Sequence, residues 1–222
     1  APANSLVLAA TNASEQNFAA RVSSSLGLRM QCEMSDKIEK AKNVIPAPIF
    51  ALPLTEEKVR SLLRWFKRDF MKPFVSTVSC SNCSSATVAS GQDRPSMEEA
   101  RFLASVVELH KCQNCGNINR FARYNDPAKI IDERRGRCGE WAQLFCLILR
   151  AAGFQARLVV EWGDHVWCEA LVPQIGWKMC DSCEEAYDTP SFLMRNENFA
   201  HSTADATVAH LKKCRPLVSI NA

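Results

Sequence analysis

The sequence predicts a chain of mixed helices and strands, with helices first, strands later and a small cysteine-rich lobe between them. Apolar residues follow helical spacing from Val59 and again from Trp141. Residues 156–180 alternate as strands do and contain turn residues between the strands. Two C-x-x-C pairs, separated by residues 84–111, lie between the two helical patterns and predict the lobe.

Composition sets the size of the core and excludes some partners. The 222 residues are 47% hydrophobic, enough for one core or for a core with a small metal-stabilised lobe. A net charge of +3 is too weak to indicate a nucleic acid or an anionic membrane as partner. No stretch of 18 apolar residues predicts a transmembrane helix, and the first residues lack the basic start of a signal peptide. We therefore expect a mature, soluble chain without membrane insertion.

The cysteine pattern favours a reducing compartment. There are 11 cysteines, an odd number, which argues against a fully paired disulfide framework. Six of them form three C-x-x-C pairs, a spacing typical of metal or redox chemistry. We therefore expect the protein in the cytoplasm, with the nucleus as a second location.

The sequence predicts an N-terminal arm that is followed by a catalytic core. Residues 1–54 predict a helical arm and linker, with one short helix over 36–43. The core is expected over 55–190. It opens with a helix capped by Thr55 and ended by Pro73. Residues 191–222 have no pattern that predicts a structure.

The lobe, expected over residues 75–120, predicts one structural zinc ion. Each C-x-x-C pair can bind a tetrahedral zinc through two thiolates, and two pairs leave no open position for catalysis. The predicted ligands are Cys80, Cys83, Cys112 and Cys115. Ser96 and Glu99 form a possible capping box that predicts a helix from there to about His110. Unrelated reduced cysteines are the alternative, and the third pair, Cys180 and Cys183, could compete as ligands.

Cys138 is the candidate nucleophile. It stands in RRGRCGEW, at the start of the most strongly patterned helix. A helix N-terminus favours the thiolate, and the neighbouring arginines add positive potential. Backbone N–H groups of the same turn can face an oxyanion. The alternative is a small core residue at a helix start.

A base and its orienting carboxylate are predicted on the strands that follow. Strand alternation puts His165, Trp167 and Glu169 on one face, and Trp177, Met179 and Asp181 on one face of the next strand. If the two strands are neighbours, Asp181 can hydrogen-bond His165 and hold its ring toward Cys138. The alternatives are an ordinary polar residue at a strand start and an aspartate that caps a turn.

The residues around this site resemble a known family. The segments LLRWFKRDF, SCSNC, RYNDP, RRGRCGEW, DHVW and CDSCE form a specific combination, found within residues 57–188. In this combination the chain resembles the cytosolic peptide:N-glycanases of the transglutaminase-like superfamily. The resemblance implies an α+β, papain-like core and hydrolysis of the amide that joins an N-glycan to asparagine.

The resemblance also implies roles for particular residues. Cys138 would be the nucleophile, His165 the base and Asp181 its orienter. The four lobe cysteines would bind zinc. Four further residues would meet the inner sugars of the glycan: Trp167, Glu169, Trp177 and Glu184. An aromatic ring offers a sugar a flat apolar surface, and a carboxylate accepts hydrogen bonds from hydroxyls.

Partners and rival functions follow from the same family. The implied substrate is a misfolded N-glycoprotein, and a proteasome-shuttle protein is the implied partner. Another thiol acyl-transfer enzyme, such as a transglutaminase or cysteine protease, would use the same triad. A transglutaminase-like module that only binds a partner is the non-enzyme alternative, and in it we would expect a broken triad.

Overall fold

The structure, a computed structural model, describes residues 12–71, 75, 78–161 and 165–189. The C-terminal segment 191–222 and the turn predicted at Gly163 and Asp164 lie outside the described residues. The helices are Ala13–Gln31 (α1), Ser35–Lys42 (α2), Ala47–Phe50 (α3), Glu56–Trp65 (α4), Met97–Arg101 (α5), Pro127–Glu133 (α6) and Cys138–Ala151 (α7). A π-helical segment, Phe66–Phe70, continues α4.

The strands form two antiparallel sheets. They are Thr87–Asp93 (β1), Val107–Cys112 (β2), Ile118–Ala122 (β3), Gln155–Glu161 (β4), His165–Val172 (β5), Gly176–Asp181 (β6) and Ala186–Tyr187 (β7). The first sheet has the order β1-β2-β3 and forms the cysteine-rich lobe, whereas the second has the order β4-β5-β6-β7. The predicted mixture of helices and strands is confirmed.

Helix α7 lies at the centre of the core. Its sequence, CGEWAQLFCLILRA, is apolar on nearly every side, and a helix of that kind is stable only when other elements surround it. Phe66 packs edge-on against Trp141 and Phe145, with ring centroids 5.7 and 5.1 Å apart. The buried stripe of α4, predicted from Val59 onward, completes this side of the core. The position of the residue that begins α7 is therefore fixed by the largest block of buried surface.

The second sheet packs on α7 through one face of β5. Cys168, Ala170 and Val172 are buried in the core, as their alternation in the sequence predicts. Because side chains alternate along a strand, His165, Trp167 and Glu169 lie on the other face. The register places Cys168 opposite Cys180, which makes β5 and β6 neighbours.

The lobe differs from its prediction in one element. The capping box exists, because Ser96 N donates to Glu99 Oε2 at 2.7 Å and Glu99 N donates to Ser96 Oγ at 3.2 Å. The helix that it opens nevertheless ends at Arg101, and residues 107–112 are a strand. Leu103 has a positive φ of 58°, which a helix cannot accommodate. The prediction of a helix to His110 is therefore wrong.

The N-terminal helices add to the same core. Cys32 and Ala41 are fully buried, and α2 packs against α7 and α6. Lys37 of α2 is mostly buried and pairs with Asp126, with Nζ and Oδ1 2.7 Å apart. Within the described part of the chain, no helix has the length and apolar character needed to cross a membrane.

Candidate active site

Cys138 is the first residue of α7 and is partly exposed. Its backbone belongs to the most buried helix of the described residues, whereas its side chain reaches the surface. The positive end of the helix dipole favours a thiolate at this position. The neighbouring arginines add less free charge than the sequence suggests. Arg137 pairs with Glu108 at 2.6 Å, and Arg135 pairs with Glu133 at 3.3 Å.

His165 and Asp181 are in direct contact. His165 begins β5 and Asp181 ends β6, and the pairing of these strands brings His165 Nε2 within 2.6 Å of Asp181 Oδ2. Asp181 is fully buried, and its second oxygen accepts backbone N–H groups of Cys183 at 2.9 Å and Glu184 at 3.3 Å. The turn after β6 therefore holds the carboxylate in one orientation toward the imidazole.

The charged form of His165 is strongly favoured. Its hydrogen bond to Asp181, and next its hydrogen bond with the Cys138 side chain, raise the pKa of His165 to about 10. Since Asp181 occupies Nε2, Nδ1 is the ring nitrogen left to face the sulfur. A protonated imidazole between a buried carboxylate and a cysteine is the arrangement from which a thiolate nucleophile forms.

The predicted glycan-binding residues differ in exposure and in their distance from this contact. The Trp167 side chain is buried, and its ring stacks beside that of His165, with centroids 6.0 Å apart. Trp177 is about one-third exposed. Glu184 is exposed in the turn after Asp181, with Lys67 3.9 Å away. These two side chains can therefore be reached from solvent. The register places Trp177 opposite Leu171, toward the other end of β5 from His165.

Arg157 is a member of this surface that the sequence reading did not single out. Its guanidinium lies 4.2 Å from the centre of the Trp177 ring, and its Nε donates to Glu169 Oε2 at 2.7 Å. The strand register places Arg157 directly opposite Glu169. Alternation along 155–161 could have shown that Arg157 shares a face with the predicted residues, but the pairing partner of β4 is a tertiary property.

The four lobe cysteines form a cluster that could hold a metal ion. Their sulfur atoms all lie within 4.8 Å of one another. Cys83 Sγ is 3.5 Å from the sulfurs of both Cys112 and Cys115, and Cys80 Sγ is 3.6 Å from that of Cys115. Sulfurs bound at tetrahedral distance to one ion would be roughly 3.8 Å apart, given a metal–sulfur bond of about 2.3 Å. The donor set therefore fits a tetrahedral thiolate site.

The third C-x-x-C pair belongs to the core beside the candidate active site. Cys180 and Cys183 are both buried, and burial is the main cause that raises the pKa of each thiol. Neither cysteine belongs to the group of four whose sulfur atoms lie within 4.8 Å of one another. Their place in the fold is at the end of β6 and in the turn that holds Asp181.

Part of the sequence matches a known superfamily. A sequence profile of the transglutaminase-like superfamily matches residues 84–182, a range that contains the candidate triad and two of the cluster cysteines, Cys112 and Cys115. Over these residues the chain is similar to the transglutaminase-like superfamily.

The chain is also similar to peptide-N(4)-(N-acetyl-beta-glucosaminyl)asparagine amidases, as its motifs imply. It is 43% identical to that of Saccharomyces cerevisiae over 149 residues, which cover 65% of this chain and 41% of the relative. The Eremothecium gossypii relative is 44% identical over 65% of this chain and 42% of its own length. The human relative is 47% identical over 58% of this chain and 20% of its own length. The chain thus spans less than half the length of these relatives.

Proposed function

We propose that the chain is a thiol amidase that removes N-glycans from misfolded glycoproteins and converts the linked asparagine to aspartate. The observation that carries the proposal is the 2.6 Å contact between His165 Nε2 and Asp181 Oδ2. The Cys138 side chain, at the start of α7, also contributes to the raised pKa of His165. The named activity of the similar amidases supplies the substrate class.

In the first half of the reaction, the Cys138 thiolate attacks the side-chain carbonyl carbon of the glycosylated asparagine. Backbone N–H groups of the first turn of α7 have no partner within the helix and stabilise the oxyanion. The carbon–nitrogen bond then breaks, and protonated His165 gives its proton to the leaving glycosylamine. A thioester between Cys138 and the peptide remains.

In the second half, neutral His165 takes a proton from water, and the resulting hydroxide attacks the thioester. The carbon–sulfur bond breaks, the peptide leaves with an aspartate side chain, and the thiolate returns with His165 protonated. Asp181 keeps the imidazole in one orientation through both halves. The released glycosylamine hydrolyses in water to ammonia and the free glycan.

Substrate contacts are proposed on the exposed side of this site. Trp177 offers a ring to the inner sugars of the glycan, and Glu184 offers a carboxylate to their hydroxyls. Trp167 and Glu169 hold neighbouring side chains of that surface in place. Trp167 is buried and stacks beside His165, and Glu169 is paired with Arg157. A cysteine that is only partly exposed requires an unfolded or extended peptide, which favours misfolded glycoproteins as substrates.

We propose that the four-cysteine cluster binds one structural zinc ion. Four thiolates close the coordination sphere, so the ion would hold the lobe together without taking part in the reaction. Paired cysteines of this kind persist where thiols stay reduced, so we place the protein in the cytosol or nucleus. A proteasome-shuttle protein remains the proposed partner.

A comparison of substrates tests the proposed activity. The wild-type chain should release free glycan from a denatured glycoprotein and from a glycopeptide, and should leave the same peptide without sugar unchanged. Cleavage or cross-linking of the sugar-free peptide would favour a protease or transglutaminase. Absence of any reaction, with zinc bound and the fold intact, would favour a binding module.

A further inference from the structure

Four charged side chains join the cysteine-rich lobe to the start of α7. They are Glu108 on β2, Arg123 just after β3, Arg137 just before α7, and Glu140 in its first turn. We call them the Glu140 network. Arg123 makes a two-pronged contact with Glu140, with Nε to Oε1 at 2.6 Å and Nη2 to Oε2 at 2.9 Å. Glu108 binds Arg123 at 2.9 Å and Arg137 at 2.6 Å.

Glu140 also holds the backbone that leads into Cys138. Its Oε2 accepts the backbone N–H of Arg137 at 3.0 Å, which satisfies a donor at the helix start. The Glu140 side chain is only 7% exposed. Gly136 packs against it so closely that a Cβ at that position would lie 2.4 Å from Glu140 Cβ. The turn that carries the candidate nucleophile is therefore built around Glu140.

The other end of the network is tied to the cysteine cluster. Strand β2 carries Glu108 and ends at Cys112, one of the four cluster cysteines. On this strand Glu108 contacts Arg123 and Arg137. Arg137 also donates from Nε to the backbone oxygen of Val75 at 3.1 Å. The strand that supplies a cluster ligand thus contacts both arginines that border the start of α7.

The Glu140 network carries no net charge. Two arginines and two glutamates sum to zero, so they add no overall positive potential to Cys138. Charge-assisted, two-pronged contacts instead fix geometry. For a nucleophile and base that must stay within hydrogen-bond reach, a displacement of about 1 Å can cost about 100-fold in rate.

We propose that Glu140 is a positioning residue, and that the Glu140 network fixes Cys138 relative to His165 and makes this geometry depend on the folded cysteine lobe. This rests on the proposed role of Cys138 as nucleophile. Neither Glu108 nor Arg123 needs to touch the substrate for this effect.

Two variants that each replace a carboxylate with a neutral amide, and one control, test the proposal. Glu140→Gln removes the centre of the network, and Glu108→Gln removes its end on the lobe. Arg120→Gln is the matched control, because Arg120 pairs with Asp93 at 2.6 Å and Glu99 at 2.8 Å in the same lobe but belongs to a separate group of ion pairs. A cavity of about 300 Å³ borders Arg123 and Glu140, so water can reach the side chain altered in Glu140→Gln.

Each variant is assayed for kcat and KM on a glycopeptide and for the rate at which iodoacetamide alkylates Cys138. Trypsin cuts after Arg137 and Arg150, and tandem mass spectrometry of residues 138–150 separates Cys138 from buried Cys146. We expect Glu140→Gln to lower kcat about 10- to 100-fold with little change in KM, and to slow alkylation. Glu108→Gln should act in the same direction by a smaller factor, and Arg120→Gln should match the wild type.

Metal removal supplies the second arm. Chelation should slow Cys138 alkylation in the wild type and have little further effect in Glu140→Gln. If Glu140→Gln does not fold, the same test is made with Arg123→Lys. Lysine keeps the positive charge but cannot make the two-pronged contact with Glu140. Wild-type alkylation and kcat in a folded Glu140 or Arg123 variant would overturn the proposal, as would lower thermal stability with unchanged alkylation. A wild type that releases no glycan would overturn the proposed function alone, because alkylation still tests the network.

Discussion

Asp181 holds His165 through one oxygen while the turn after β6 holds Asp181 through the other. Oδ2 lies 2.6 Å from His165 Nε2, and Oδ1 accepts the backbone N–H groups of Cys183 and Glu184. Rotation of this buried carboxylate would break all three hydrogen bonds. The imidazole orientation is therefore a property of the strand pairing and of the turn that follows it.

Asp181→Asn should leave the fold in place and remove most of the activity. An amide has no charge to stabilise the imidazolium, so the pKa of His165 should fall from about 10 and kcat should drop by a factor on the order of 10²–10⁴. Alkylation of Cys138 across pH should shift accordingly. Asp188→Asn is the control, because Asp188 is exposed and pairs with Lys178. Equal activity of Asp181→Asn and wild type would contradict the assigned role.

The His165–Asp181 pair should make stability depend on pH in one direction. The folded-state pKa of His165, about 10, lies above its ordinary value of 6.5. The pair therefore stabilises the fold fully below about pH 6.5, and this contribution is lost as pH rises toward 10.

Unfolding by urea from pH 6 to pH 10 checks this in a Cys138→Ala background, with and without His165→Gln. The Cys138→Ala change removes the thiol, so that the histidine pair alone differs between the two proteins. The protein with His165 should have the larger free energy of unfolding at low pH. The difference in this free energy between the two proteins should shrink as pH rises. A difference that grows with pH would contradict the raised pKa.

Loss of the cluster metal should unfold the lobe. Zinc analysis should give about one ion per chain, and Cys112→Ser should lower this content and the thermal stability together. Cys146→Ala is the control, because Cys146 is buried in the core and outside the cluster. That variant should lose stability but keep its zinc. Full zinc content in Cys112→Ser would contradict the ligand set.

Gly136→Ala and Gly139→Ala should have different effects on stability. An added Cβ at Gly136 would meet Glu140 Cβ at 2.4 Å, whereas one at Gly139 meets nothing within 4 Å. We expect Gly136→Ala to cost about 1–3 kcal/mol through overpacking. Gly139→Ala, inside α7, should be neutral or stabilising by up to about 1 kcal/mol. Urea unfolding compares them, and equal effects would show that the start of α7 does not depend on this close contact.

Local patterns predicted the elements that carry the candidate site, because their signals lie within a few residues. The apolar spacing after Cys138 indicated the helix that is observed over 138–151, and alternation from His165 to Val172 indicated β5 with the same bounds. The spacing of the four lobe cysteines likewise predicted a cluster that the structure brings together.

Features that depend on tertiary pairing were missed. Arg157 meets Glu169 only because β4 pairs with β5, and Glu140 meets Arg123 across two elements. The predicted capping box at Ser96 is present, but a signal at the start of a helix cannot predict where that helix ends. Leu103, with its positive φ, and the pairing of β2 with two neighbours decide that boundary.

Cys138 should form a covalent acyl intermediate during glycan release. The most direct measurement is the intact mass of the chain after acid quenching of a reaction with excess glycopeptide. We expect added mass equal to the peptide acyl group, located on Cys138 and removed by hydroxylamine, with no such species and no glycan release in Cys138→Ala. Glycan release by Cys138→Ala at the wild-type rate would contradict the account.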